Sequence, residues 1–183
     1  MEDIRKDSYN TFADYPELSY NCISYLLENN DLIWKLMYYP TPDAWNKTNL
    51  TKAQKGAMIF KGEGNESDYS VFMDVGQDNA FTKEKCYIRI SPLELEPTNY
   101  IAGRVIMTFE VYSHYRINHM NNYKTRIDTV TQQFLEVFNG AEIGGLGRLF
   151  FDAKITARCK IRTIGQVPFK GKVLTMGNYM ATG

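Results

Sequence analysis

The sequence holds two histidines, His114 and His119, five residues apart at the end of a strongly alternating segment. Two imidazoles at that spacing could share a metal ion only if carboxylates such as Glu110 or Asp152 came alongside. Nothing in the pattern demands this, and a strand-end or turn role is the simpler reading. Cys22, Cys86 and Cys159 are far apart, odd in number and outside any CxxC motif. They imply neither a disulfide framework nor a zinc site, so buried free thiols are expected. The run GAEIGGLGR (140–148) invites comparison with a phosphate loop. It lacks the GK[ST] ending, and it follows a helical pattern, whereas a phosphate loop follows a strand and opens a helix. A helix cap and a turn are expected there instead. No GxSxG nucleophile elbow is present. Glu94 and Glu96 sit between Pro92 and Pro97, where solvated turn acids are expected rather than a catalytic pair. The residue types therefore point to no catalytic, cofactor or metal site, and the expectation is a non-enzymatic protein.

Surfaces are the alternative to a catalytic centre, and charge suggests where they lie. Residues 1–31 carry seven acids against two bases, a balance of −5. Residues 152–183 carry six bases against one acid, a balance of +5. Ends of opposite sign suit a head-to-tail contact between copies. They equally suit pairing within one subunit. The interface candidates are Lys154, Arg158, Lys160, Lys170 and Lys172 on the basic side and Glu17 and Asp31 on the acidic side. A basic patch of the kind nucleic-acid binders show is confined to the C-terminal segment. The 13 tyrosines suit both strands and interfaces, and the sequence does not choose between these.

The elements that must position these residues are legible in part. With 44% hydrophobic and 23% charged residues over 183 positions, the chain has the composition of one globular domain and not of a disordered segment. No run approaches the ~18 apolar residues of a membrane span, and the N-terminus lacks the apolar stretch of a secretory signal. Residues 1–13 read as a polar arm. Asp14, Pro16 and Glu17 open a helix over about 16–28, and Asp31 caps a second one carrying Ile33, Trp34 and Met37. Residues 39–69 form an irregular insert with a short helix at about 51–58, capped by Asn49 or Thr51. Strands are expected at 70–75 and 86–91, followed by a turn or bend between Pro92 and Pro97. The clearest strand is 103–113, with Val105, Met107, Phe109 and Val111 on one face and polar residues among those on the other, as in a half-buried antiparallel strand. A helix at about 121–139 carries Tyr123, Ile127, Val130, Phe134, Val137 and Phe138 at helical spacing and stops at Asn139-Gly140. Gly144, Gly145 and Gly147 read as a flexible connection, followed by strands at 149–151, 155–162 and 169–175. The expected fold is α+β, a largely antiparallel sheet packed against an N-terminal helix and a long central helix.

The block CYIRISPLELEPTNYIAGRVIMTFEVYSHYRINHMNNYKTRIDTVTQQFLEVFNGAEIGGLGRLFFD (86–152) resembles, in its order of elements, the tail-terminator and related neck proteins of tailed bacteriophages. With the preceding helix, the resemblance covers roughly residues 14–175. It implies a small structural subunit that assembles into a homo-oligomeric ring in the virion, often sixfold at the tail end. Such a ring meets tail-tube, portal or connector proteins and joins the head connector to the tail. It has no catalytic residues or cofactor, no membrane contact, and DNA passing nearby without sequence-specific binding. The insert 39–69 departs from the compact plan and leaves a twelvefold neck ring or an adaptor beneath the portal open. Two other readings remain: another multimeric protein-binding subunit, such as a baseplate or secretion-type adaptor, and an enzyme without a recognisable motif.

Overall fold

Alternation over residues 103–113 produces one of two 13-residue strands that form the middle of the sheet. In the computed structural model, which describes residues 15–74, 81–97, 102–152, 159–166 and 168–181, β3 (Ala102–His114) pairs antiparallel with β7 (Phe169–Ala181). The register runs from Ala102 opposite Ala181 to His114 opposite Phe169. β2 (Cys86–Pro97) flanks β3, and β6 (Ile161–Gln166) flanks β7. The two-residue β1 (Val71–Phe72) lies parallel to β2, giving the order β1-β2-β3-β7-β6. A separate hairpin joins β4 (Glu142–Ile143) to β5 (Gly147–Arg148). The described α-helices are α1 (Leu18–Asn29), α2 (Leu32–Tyr38), α3 (Lys52–Ala57) and α4 (Arg126–Phe138). This is the expected α+β arrangement, with α1 and the longer central helix α4 against a largely antiparallel sheet.

The apolar faces explain the layering. Leu18, Cys22 and Leu26 recur at helical spacing on α1, as do Ile127, Val130, Phe134 and Phe138 on α4, and all are buried. They meet Ile88, Ile90, Met107, Phe109, Leu174 and Met176 of the sheet in one continuous core. Phe109 stacks at 4.6 Å from Phe138 and 5.6 Å from Phe134, centroid to centroid. The insert 39–69 adds Leu50, Met58 and Ile59 to that core. Its helix α3 begins with a reciprocal capping box between Thr51 and Gln54, which selects Thr51 over Asn49 as the cap.

Several local expectations give way to tertiary context. Pro92 does not end β2. The strand continues to Pro97 through a bulge between Pro92 and Glu94 that leaves Leu93 exposed. Because β1 pairs only with Ile88 and Arg89, among the described residues this half of β2 has β3 alone as a strand partner, and proline is tolerated on such an edge. α4 starts at Arg126 instead of 121, since the Thr125 hydroxyl accepts from the Asp128 N–H and fixes the first turn there. Asp31 makes no side-chain cap; the Asn30 carbonyl Oδ1 accepts from Ile33 N at 2.7 Å instead. The glycine run is no flexible connection. Gly140 takes the left-handed conformation (φ 84°) after α4, and Gly145 and Gly147 (φ 75° and 67°) shape the β4–β5 hairpin. Ile143, Leu146 and Leu149 anchor this hairpin in the core. Residues 149–151 form only a bridge, Phe150 to Gly177. Of the strand expected at 155–162, residues 155–158 lie outside the described residues and β6 begins at Ile161.

β3 is buried on both faces, not on one. On the face away from the helices, Ile106, Thr108 and Glu110 are 1%, 4% and 8% exposed. Polar groups survive there by pairing across the β2–β3 ladder. The Ser91 and Thr108 hydroxyls lie 3.1 Å apart, and Arg89 Nη1 donates to Glu110 Oε2 at 3.4 Å. The tight spot on this face is Gly171, opposite Tyr112. A Cβ there would lie 2.7 Å from the Val111 carbonyl oxygen and 2.8 Å from the Tyr112 ring. Gly171→Ala is therefore expected to destabilise the fold by about 1–3 kcal/mol, read as a lower urea midpoint with an unchanged slope. An unchanged midpoint would mean that the β3–β7 pairing opens without strain.

Candidate functional site

β6 is the last strand of the sheet, and no other described strand pairs with its outer side. Thr175 N donates to Lys160 O at 3.0 Å, so the pairs Arg162–Val173 and Ile164–Gly171 continue the hydrogen-bonded phase of the β6–β7 ladder. The N–H and C=O groups of Ile161, Thr163 and Gly165 then point outward. Among the described residues, none of them has another partner. Arg162, Thr163 and Gly165 are exposed, and Ile161 is 40% exposed. The opposite edge differs: β1 has two residues, and Ile59 bridges to Val71 beside it.

Cations flank the open edge. Lys160, Arg162 and Lys170 are exposed, and among the described residues none is ion-paired. Lys172 is different. It reaches the α4 face and pairs with Asp128. Burial alone would raise the Asp128 carboxyl, but Lys172 and the Thr125 hydroxyl outweigh it and hold the group below its ordinary value. The structure thus places Lys160 and Arg162 at one end of β6 and Lys170 on β7 opposite Gly165 at the other, and turns Lys172 inward to a partner. Lys154 and Arg158 lie outside the described residues. Glu17 is exposed at the start of α1. Asp31 lies past the other end of α1, where its Oδ1 accepts from Lys55 at 2.7 Å and its Oδ2 from Asn49 at 2.9 Å. Lys55 also donates to the Leu27 and Asn30 carbonyls, so this pair closes the helix end.

A second surface is aromatic. Tyr123 is fully exposed and takes a left-handed φ of 63°, in a loop whose ends are joined by the His119–Thr125 bridge. Trp45 Nε1 donates to Asn121 Oδ1 at 2.7 Å, which ties the neighbouring 40–46 segment to this loop. Trp45 and Tyr123 both remain in reach of solvent. The spacing placed Tyr123 on the apolar face of a helix from about 121, but the helix begins at Arg126 and Tyr123 lies before it, exposed, in the loop that the His119–Thr125 bridge closes.

The residues first considered for chemistry have other surroundings. His114 packs edge-on to Phe169 at 5.3 Å, and its Nδ1 accepts from Arg116 N at 3.4 Å. Glu110 accepts from Arg89 and, at 2.6 Å, from Tyr112 Oη. Among the described residues, no group of three or more His, Cys, Asp and Glu side chains is placed to hold a metal ion. Burial pushes the Cys22 and Cys86 thiols up to about 12, so both stay protonated and unreactive at neutral pH. No described helix is long and apolar enough to cross a membrane.

Sequence reasoning missed two buried arginines. Arg126 is fully buried and donates only to backbone carbonyls: Ile117, Leu36, Tyr39 and Thr41. Arg89 is 5% exposed beneath the Phe81 and Tyr112 rings, with its Nε and Nη2 lacking acceptors. The only early signal was an arginine at a face position of a strongly patterned element.

Fold and surface together define a small α+β protein in which, among the described residues, the outer side of β6 is an unpaired sheet edge flanked by cations. Residues 30–174 match the family model of YomW, and the chain belongs to that family. The family is derived from Bacillus phage of the SPbeta type, and the protein is phage-associated. The matched span runs from the end of α1 into β7 and omits the acidic N-terminal segment. No curated protein matches the chain.

Proposed function

We propose that this protein is a non-enzymatic virion subunit that forms a ring at the tail end or neck and joins the head connector to the tail. The observation that carries this reading is the open β6 edge with its unpaired cations. An unsatisfied strand edge is a template for pairing with another chain; edge cations disfavour pairing with a like edge and favour an acidic partner segment instead. A basic edge on a chain with an acidic N-terminal segment supports a heterologous contact, one surface meeting a different surface of the next copy. Repeated around a closed rotation, such contacts make a ring. The phage-derived family supports a place in the virion, with assembly in the host cytoplasm. The partners are further copies and the tail-tube, portal or connector proteins above and below. DNA passes nearby without sequence-specific contact, and no membrane takes part.

The test is assembly of the purified chain. Light scattering over a rising concentration series, followed by negative-stain imaging, is expected to show closed rings of uniform symmetry. A monomer at every concentration would remove the ring. Open filaments would keep the head-to-tail contact and discard the closure.

A further inference from the structure

We infer that the open edge of β6 receives the N-terminal segment, residues 1–14, of a second copy of this chain as an added antiparallel or parallel strand. The inference rests on the reading of the protein as a self-assembling subunit, because that reading makes the incoming segment a neighbour's.

Three observations select this occupant. The first is backbone chemistry. Ile161, Thr163 and Gly165 offer outward N–H and C=O groups along a six-residue strand, and added main-chain bonds are how an extended segment gains affinity at a sheet edge. The second is charge. Lys160, Arg162 and Lys170 stand unpaired around the edge, whereas residues 1–14 carry Glu2, Asp3, Asp7 and Asp14 against Arg5 and Lys6. Pairing two β6 edges with each other would instead gather the cations of both copies with no anion between them, and like charges across an interface oppose binding. The third is length and composition. A six-residue strand spans roughly 20 Å, and 14 extended residues reach about 46 Å. The segment also contains Tyr9, Thr11 and Phe12, residue types that suit a pleated surface.

The first described residues lie near the hairpin beside β7. Tyr15–Leu18 leads into α1, where Asn21 Nδ2 donates to the Gly144 carbonyl of the β4–β5 hairpin at 2.9 Å. That hairpin lies beside β7, the strand to which β6 is paired.

The experiment uses the full chain, a deletion of residues 1–14, and Thr163→Pro. Proline at 163 removes an outward N–H and leaves the hydrogen bonds to β7, so the fold is expected to persist by circular dichroism. The double variant Lys160→Glu/Arg162→Glu serves if Thr163→Pro does not fold. By light scattering the full chain is expected to assemble, and each variant is expected to remain monomeric. An equimolar mixture of Thr163→Pro and the deletion is expected to form a 1:1 heterodimer, since one supplies the segment and the other the edge. Assembly of either variant at the mass of the full chain overturns the inference and leaves the ring reading standing. If the full chain is itself monomeric, the ring reading fails, and a fluorescein-labelled peptide of residues 1–14 is then titrated into the deletion protein. Binding that Thr163→Pro abolishes shows the segment in its own subunit's edge and overturns the second copy. No binding overturns the pairing itself. Where the peptide binds in an assembling chain, Lys160→Glu/Arg162→Glu is expected to weaken it about tenfold or more. Unchanged affinity overturns the charge argument on which the choice of segment depends.

Discussion

Arg126→Ala is expected to lower the free energy of unfolding by about 3–5 kcal/mol, measured by urea denaturation followed by circular dichroism. The guanidinium is buried and faces carbonyl oxygens only. Three of them, Leu36, Tyr39 and Thr41, lie at and just beyond the C-terminal end of α2, where helix carbonyls lack intrahelical donors and the helix dipole is negative. In a continuing helix, the Leu36 carbonyl would accept from the N–H of residue 40. Residue 40 is proline and has none. Arg126 supplies the missing donor from the first turn of α4 and, through Ile117, also secures the loop before that helix. Burial pulls its pKa below the ordinary arginine value. Alanine would leave these carbonyls without the guanidinium and open a cavity. Arg126→Met separates the two effects, because it keeps much of the volume and none of the donors. It too is expected to destabilise. A methionine variant as stable as the native chain would reduce Arg126 to a space-filling role.

Phe134→Ala is expected to cost about 3–5 kcal/mol in the same assay, through lost burial and the cavity left behind. Phe134 is fully buried, with Phe109 of β3 at 5.6 Å and Phe138 at 6.3 Å. These rings fix α4 on the sheet at its centre, where β3 and β7 lie side by side. Little can collapse into the space, since the strands below are held by long ladders on both sides. Gln132→Ala, on the exposed face of the same helix, is expected to change stability by no more than about 0.5 kcal/mol. A loss at position 134 no greater than that at 132 would place this face of α4 away from the core.

Where the sequence was informative, one local cause dominated. The spacing of Ile127, Val130, Phe134 and Phe138 belongs to a helix whatever it packs on, and Gly140 could only follow its end. The alternation of Val105, Met107, Phe109 and Val111 likewise required a strand. Where reading failed, a distant partner decided. Pro92 looked like a stop because a paired strand rejects proline; β1 is too short to reach it, so β2 runs on. The far face of β3 looked solvated because it carries Arg104, Thr108 and Glu110. Arg89 and Ser91 across the ladder gave two of these polar groups partners and allowed burial. Nothing in the spacing of residues 121–139 singled out Arg126, and only the fold brought the end of α2 to it.

The open edge of β6 shows the same division. Residue types alone determined that the C-terminal segment is basic, that the N-terminal one is acidic and that the chain has the α+β pattern of elements. They left Lys160, Lys170 and Lys172 as equivalent cations. The long-range pairing of β3 with β7 made β6 the outer strand, and the 3.6-residue period of α4 put Asp128 beneath Lys172. One lysine was thereby neutralised, while Lys160, Arg162 and Lys170 remained beside unsatisfied backbone. Charge is a property of each residue, but an edge is a property of strand order, and strand order is set by contacts between residues more than fifty positions apart.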